Sequence, residues 1–406
     1  MPGKTILILG AGRDQLFLIK TAKKLGMNVI AVDKNKEAKG AELADKFINT
    51  STRNVAGISE ALSNLGYSGM QIDGVITMGS DIPEVVAEIS QSLNLPSLSM
   101  ESASSAKNKY KMKQRFQLGG VSTAKFMLLS ETTELKDAFS ILGEKLVIKP
   151  LDQAGSRGVY LLRENTPNIY QLFDDAKRYS SNAKVLAEEY IEGPQISTEH
   201  ILFEGKLYTP GFADRNYENM QLFLPQIIEN GGWVPSLFEN LRHKIEAEIK
   251  KVAKALDLNN CVIKGDIVVK DGKPIIIEIA ARLSGGDFSE SLVPIGLGIN
   301  YVETALNIAV GVYPDLNKLK PNRNLTVANR YFYAPQGKLK RIIGIENILS
   351  KPWIHKVQMW IKPGDVLGKI NSHSMRSGVF VVSGKSRTEV QKRINYVYRS
   401  VKFHMD

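Results

Sequence analysis

The chain has 406 residues, 43% hydrophobic and 23% charged, with 33 Gly, 16 Pro and one Cys. That length suits roughly two to three domains of about 150 residues, and the composition excludes fibrous, disulfide-knotted and largely disordered chains. The formal charge of +11 is uneven: residues 312–406 hold 18 Lys and Arg against 5 Asp and Glu, whereas residues 1–311 are nearly neutral. A basic region of this kind fits an anionic substrate, nucleic acid, or simply a solvated face. Cys261 has no partner within the chain, so a reducing, cytoplasmic setting is expected. The apolar run Thr5–Leu9 is far shorter than the about 20 residues of a membrane span, and no membrane partner is expected.

Short apolar runs and helical stretches alternate from the start: a strand over 5–9, a helix over 14–25, strands at 29–32 and 47–49, a helix near 54–65 and a strand at 75–78. This βαβ rhythm predicts an α/β, Rossmann-like unit over residues 1–103. Its first turn, Gly10-Ala-Gly12-Arg-Asp-Gln15, carries two of the three glycines of a dinucleotide turn, and Asp33 stands where a ribose-binding carboxylate would. With Gln15 in place of the third glycine, a Rossmann-like turn without a nicotinamide cofactor is the better reading. The Ser-rich stretch 97–105 predicts a boundary, and 107–118 a basic helix. A second, α+β unit is expected over 104–311. Strands at 146–149 and 157–162 bracket a glycine-rich loop, a helix follows near 168–179, and strands recur at 184–191, 196–203 and 206–213. A helix over 238–256 then precedes strands at 261–269 and 274–280. Residues 312–406 predict a small basic α+β unit ending in a helix from Thr388.

Chemistry concentrates in the second unit. Lys149 ends an apolar strand, and the loop containing Gly155, Ser156, Arg157 and Gly158 follows at once. Amides, a hydroxyl, a guanidinium and the lysine point charge could together cover a polyphosphate, although an ordinary surface hairpin has the same composition. The strand through Glu188, Glu189 and Ile191 can offer main-chain donors and acceptors to a base edge; taken singly, its carboxylates also read as solvated. Asp271-Gly272 marks a hairpin. A three-residue loop at 271–273 would set Asp266 directly opposite Glu278, whereas a two-residue loop would break that register. Opposed carboxylates repel unless a cation lies between them, and such hard oxygens suit Mg²⁺ shared with phosphate. Arg282 and the turn Leu283-Ser284-Gly285-Gly286-Asp287 follow, as an anion-binding turn or a loop anchored by a salt bridge.

In this order the residues resemble the ATP-grasp superfamily, in particular its carbamoyl-phosphate-synthetase-like and amino-acid-ligase branches, over nearly the whole chain. The resemblance implies ATP and Mg²⁺, with Mn²⁺ as a substitute. It also implies nucleotide contacts from Lys109 in Asn108-Lys109, from Lys149, from the loop Gly155, Ser156, Arg157 and Gly158, and from Glu188, Glu189, Ile191 and Glu199. Asp266 and Glu278 match the metal ligands, and Arg282 and Lys149 the catalytic positions. One departure is Ala280, where many members carry Asn, which leaves the metal coordination leaner. The implied reaction is a carboxylate–amine or carboxylate–thiol ligation through an acylphosphate, with small, anionic substrates expected and a homodimer left open. A nicotinamide oxidoreductase would use the Gly10 turn but leave the Asp266/Glu278 hairpin without a role. A non-catalytic nucleotide-binding or nucleic-acid-binding protein would fit Ala280 and the basic C-terminal region, but the chain shows no recognised nucleic-acid module.

Overall fold

The computed structural model describes residues 3–67 and 71–406. Four parallel strands open the chain in the spatial order Lys46–Ile48, Asn28–Val32, Thr5–Leu9, Gly74–Ile76. Thr5–Leu9 is buried along its whole length, as a central parallel strand covered on both faces should be. The glycine turn after it is filled by protein. Gln15 is buried and donates to the Met78 carbonyl, and a Cβ on Gly10 would lie 2.8 Å from the Gln15 side chain. Asp33 accepts from the Ala11 N–H at 2.9 Å, so it ties the turn to the second strand. Gly10 and Asp33, which suggested a dinucleotide, therefore serve the turn itself.

The polar stretch predicted as a boundary is partly helical: Met100–Lys107 starts at Ser99, which caps it by accepting from Ser102 N–H. The predicted basic helix is broken at Asn108, whose side chain accepts from the N–H groups of Tyr110 and Lys111 and so starts a second helix, Lys109–Leu118. That helix buries Lys109, Met112, Lys113 and Phe116, spaced three and four residues apart.

Two sheets form the cleft. The smaller is antiparallel, in the order Phe126–Leu129, Val185–Glu189, Leu146–Pro150, Tyr160–Leu162. Helices Leu135–Leu142 and Ile169–Tyr179 pack on it through Phe139, Leu142, Phe173 and Ala176. The larger has eight strands in the order Lys273–Ala280, Cys261–Lys270, Gln195–Phe203, Lys206–Asn216, Gly231–Val234, Thr326–Phe332, Gly378–Gly384, Ile354–Met359. The helix Arg242–Ala255 backs it with Ile245, Ile249 and Val252, all fully buried. Each such side chain contributes roughly 1.5–3 kcal/mol by leaving water. The last three strands of the large sheet come from beyond residue 320, so the basic C-terminal segment continues the central sheet. Its remaining strands, with Gly337–Ile343 at the centre, form a small three-stranded sheet, and Arg387–Ser400 is the terminal helix.

The first unit meets the second at a close backbone contact. Gly79 donates its N–H to the Leu283 carbonyl at 3.1 Å, and a Cβ on Gly285 would lie 2.7 Å from the Gly79 Cα. Only glycine allows this approach, which fixes the segment after Arg282 against the Rossmann-like sheet.

Candidate active site

A cavity of about 550 Å³ lies where the two cleft sheets, the first unit and the C-terminal strands meet. Lys109, Lys149, Gly155, Ser156, Glu188, Glu189, Ile191, Asp266, Glu278 and Arg282 all line it. Those residues span well over a hundred positions in the chain, and the fold brings them to one place.

The Asp266/Glu278 hairpin reaches its register by a different route from the one expected. Its loop has two residues, Asp271 and Gly272, with φ of 51° and 68°, and Lys270 pairs with Lys273. Two positive φ values in succession are the signature of a type I′ turn. Ile267 pairs with Ile276 but Asp266 pairs with Glu278, so Ile277 is a bulged residue that restores the facing pair. The expected repulsion between the carboxylates is also offset. Lys264, two residues away on the same strand face, bonds one Asp266 oxygen, and Arg215 Nη1 donates to the other at 2.8 Å. Lys109 Nζ stands 3.8 Å from Glu278. Burial pushes the Glu278 carboxyl up, but Lys109 and Lys149 outweigh it and draw it down to about 2. For Asp266 burial likewise opposes ionisation, and Lys264 and Arg215 hold the carboxyl below its usual value. Both groups are therefore anionic at neutral pH.

A divalent ion would find two facing carboxylates here. Among the described residues no group of three or more His, Cys, Asp or Glu converges on a metal-sized space. That donor set fits Mg²⁺ held by Asp266 and Glu278 only if phosphate oxygens and water complete its shell, which is how Mg²⁺ usually sits between protein and nucleotide.

Glu188 occupies a different place from the predicted base edge. Its carboxylate is buried between Lys149 Nζ at 2.5 Å and Lys113 Nζ at 3.0 Å, with all three side chains at most 5% exposed. Burial pushes the Glu188 carboxyl up, and the two ammoniums outweigh it and leave it below the usual value. Lys149 is raised because Glu188 and Glu278 outweigh its burial, whereas burial dominates at Lys113 and lowers it. The Glu189 carboxylate accepts from the Lys125 N–H at 2.8 Å, so it braces the neighbouring strand. Ile191 joins Val147, Val268 and Ile277 in an apolar part of the wall beside Lys149.

Glu199 does not reach the cavity. It is completely buried behind the wall, near Ser284 and Tyr301, and burial pushes its carboxyl up to about 8. Within the glycine loop, Ser156 Oγ donates to the Ile227 carbonyl at 2.8 Å and the Gly155 carbonyl accepts from His373 N–H at 3.1 Å. Arg157 turns away, its Nε bonding the Ala154 carbonyl, and Gly158 packs against Tyr179 and Pro150 outside the cavity. The segment after Gly285 carries Asp287 and Glu290, both bonded to Lys356. Arg282 Nε lies 3.9 Å from Asp81, and its Nη1 donates to the Leu283 carbonyl.

Sequence reasoning missed Lys113, Arg215, Lys264 and Arg376. Lys113 was findable, since it lies four residues after Lys109 on the face shared with Met112 and Phe116. Lys264 shares a strand face with Asp266 at a spacing of two. Nothing local marks Arg215, which reaches the cavity through long-range strand pairing, or Arg376, which follows the turn His373–Met375.

Family profiles match three consecutive stretches: "ATP-grasp N-terminal domain" over residues 19–97, "ATP-grasp domain" over 106–286, and "L-amino acid ligase C-terminal domain 2" over 330–406. The chain belongs to the ATP-grasp superfamily of ATP-dependent ligases. Over its whole length it superimposes on an L-amino acid ligase from Bacillus licheniformis, with a TM-score of 0.83 at 18% identity and 100% of both chains covered. A phosphoribosylglycinamide synthetase from Anaerococcus prevotii gives a TM-score of 0.75 at 25% identity, covering 99% of this chain and 100% of that one. An alanine–anticapsin ligase of Bacillus subtilis is 25% identical over 61% of this chain, a match that spans 56% of that ligase. Among the described residues no helix is long and apolar enough to cross a membrane.

Proposed function

We propose that the protein joins the carboxylate of one amino acid to the amine of a second, activating the first as an acylphosphate with ATP. The observation that carries this reading is the single cavity in which two opposed carboxylates, two buried lysines and Arg282 converge, below a glycine loop and beside an apolar slot. A slot formed by Val147, Ile191, Val268 and Ile277 suits a flat base, and Lys109 and Lys149 suit the triphosphate. Mg²⁺ held by Asp266 and Glu278 would neutralise phosphate charge when bound.

In the first step a donor carboxylate oxygen bonds to the γ-phosphorus and the bond from that phosphorus to the β,γ-bridging oxygen breaks, releasing ADP. In the second, the acceptor amine bonds to the acyl carbon, phosphate leaves with the carbonyl–oxygen bond pair, and the nitrogen loses a proton. Little covalent work falls to the protein. Lys109, Lys149 and Arg282 position the charged groups and stabilise charge on the transferring phosphoryl group. The L-amino acid ligase profile over residues 330–406 and the alanine–anticapsin ligase likeness favour amino acids over other carboxylates and amines.

The test is an ADP-release screen over pairs of L-amino acids, with mass spectrometry of the products. ADP release that needs both members of a pair and yields one dipeptide per ADP supports the reading. Release with a carboxylate alone, or with none, contradicts it.

A further inference from the structure

Nine lysines and arginines line the cavity, and among the described residues seven of them stand beside a carboxylate. The two that do not are Arg13 and Arg376. Arg13 is exposed and stacks over the Trp360 ring at 3.8 Å. Arg376 is only 8% exposed. Its guanidinium lies 3.6 Å from the centre of the Tyr331 ring, its Nη2 donates to the Glu229 carbonyl at 2.6 Å, and its buried Nε–H has no hydrogen-bond partner. Every one of these neighbours is neutral.

A charge in such a place is costly. A buried guanidinium is normally paired with an anion, and a buried donor left without an acceptor adds a further penalty. A purely structural arginine would be expected to find a carboxylate, as Arg215 does with Glu229 and Asp266 nearby. Arg376 instead keeps a buried N–H without a partner while its side chain lines the cavity, and its planar guanidinium is the group best suited to a carboxylate. Of the 18 basic residues in 312–406, only Lys356 and Arg376 line the cavity, and Lys356 is held by Asp287 and Glu290.

Ligation of two amino acids consumes the donor's carboxylate but leaves the acceptor's intact. The donor's must lie by the triphosphate and Arg282; the acceptor's needs a cation outside that path. The geometry points to Arg376 as the anchor for the carboxylate that the acceptor amino acid retains, an assignment that rests on the ligation reading above. The Tyr331 ring fixes the plane of the guanidinium, and the adjoining turn His373–Met375 is bonded to Gly155 of the glycine loop. The anchor therefore sits on a segment tied to the cover of the site.

A dipeptide product carries one carboxylate, the acceptor's, which allows the anchor to be read without turnover. Binding of a panel of L-alanyl dipeptides and their C-terminal amides is measured by calorimetry in the presence of ADP and Mg²⁺. The expected result is at least one dipeptide that binds the unmodified protein tenfold or more tightly than its amide. Arg376→Gln should abolish that preference and Arg376→Lys should retain part of it, with ATP affinity within twofold of the parent in both. Equal binding of acid and amide by the parent, no binding of any dipeptide, or a preference that survives Arg376→Gln would overturn the assignment. Should Arg376→Gln fail to fold, the acid–amide comparison on the parent and on Arg376→Lys still decides. ADP release with amino-acid pairs is followed alongside: its absence beside an intact carboxylate preference removes the ligase reading and leaves the anchor standing.

Discussion

Replacing Glu188 by Gln removes the carboxylate in direct ion-pair contact with two buried ammoniums and should be one of the most destabilising isosteric changes in the chain. Glu188 lies 2.5 Å from Lys149 and 3.0 Å from Lys113. At an effective dielectric of about 20, unit charges about 3 Å apart attract by roughly 5 kcal/mol. Two such pairs offset most of the cost of taking three charges out of water. Breaking a buried arrangement of this kind typically costs about 3–5 kcal/mol, because the remaining charges lose their partner. The variant's cheapest escape is to release the proton of Lys113, which burial already pulls below its ordinary value. A lysine whose folded pKa is depressed binds fewer protons folded than unfolded, so stability rises with pH between the folded and unfolded values. The deficit of Glu188→Gln should therefore narrow between pH 7 and pH 9. Tripolyphosphate should narrow it further if Lys149 receives phosphate. Urea denaturation at the two pH values, with and without tripolyphosphate, reads all three effects. A loss under about 1 kcal/mol would sink the argument that the triad is a charge-balanced unit, and so would a deficit that does not change with pH.

Removing the Lys149 charge in Lys149→Ala should weaken ATP binding by roughly 1.5–3 kcal/mol, the worth of a charge-assisted hydrogen bond, as read by calorimetry. Asp266→Asn should abolish metal-dependent ADP release and, because it strips Lys264 and Arg215 of their shared carboxylate, should also lower the melting temperature of the ligand-free protein. An unchanged melting temperature would mean that carboxylate repulsion dominates there after all. Glu278, whose carboxyl is drawn down to about 2, contributes stability that is present above its ordinary value of 4.5 and lost as pH falls toward 2; Glu278→Gln should flatten that acid limb in urea titrations. Glu199 has the opposite sign. Its carboxyl is pushed up to about 8, so the unfolded chain ionises first and stability declines from about pH 4.5 to 8, by at most about 1.4 kcal/mol per pH unit. Glu199→Gln should remove that decline, and a variant with the parent's slope would contradict the burial argument.

Local patterns carried far in this chain. Alternation and β-branched runs located the first sheet, Asp271-Gly272 located the metal-candidate hairpin, and the order of Lys109, Lys149, Asp266, Glu278 and Arg282 pointed to a grasp. What failed depended on information that is not local. The facing of Asp266 and Glu278 relies on a bulge at Ile277, which no residue type announces, and the short loop alone would have set them out of register. Glu188 alternates onto the face covered by the helix Lys109–Leu118, so its partners became visible only when that helix packed. Net charge by itself does not locate the cavity. Of the basic surplus beyond residue 312 only two cations reach the cavity wall, and one of them is already paired.

The central claim is tested most directly by counting products per ADP at saturating ATP and Mg²⁺ with both amino acids of the best pair, and again with each one alone. The account predicts one dipeptide per ADP with both present, no ADP release above background when the donor is withheld, and loss of ADP release in Glu278→Gln. ADP release at full rate without a donor carboxylate, or with Glu278→Gln unimpaired, would contradict it.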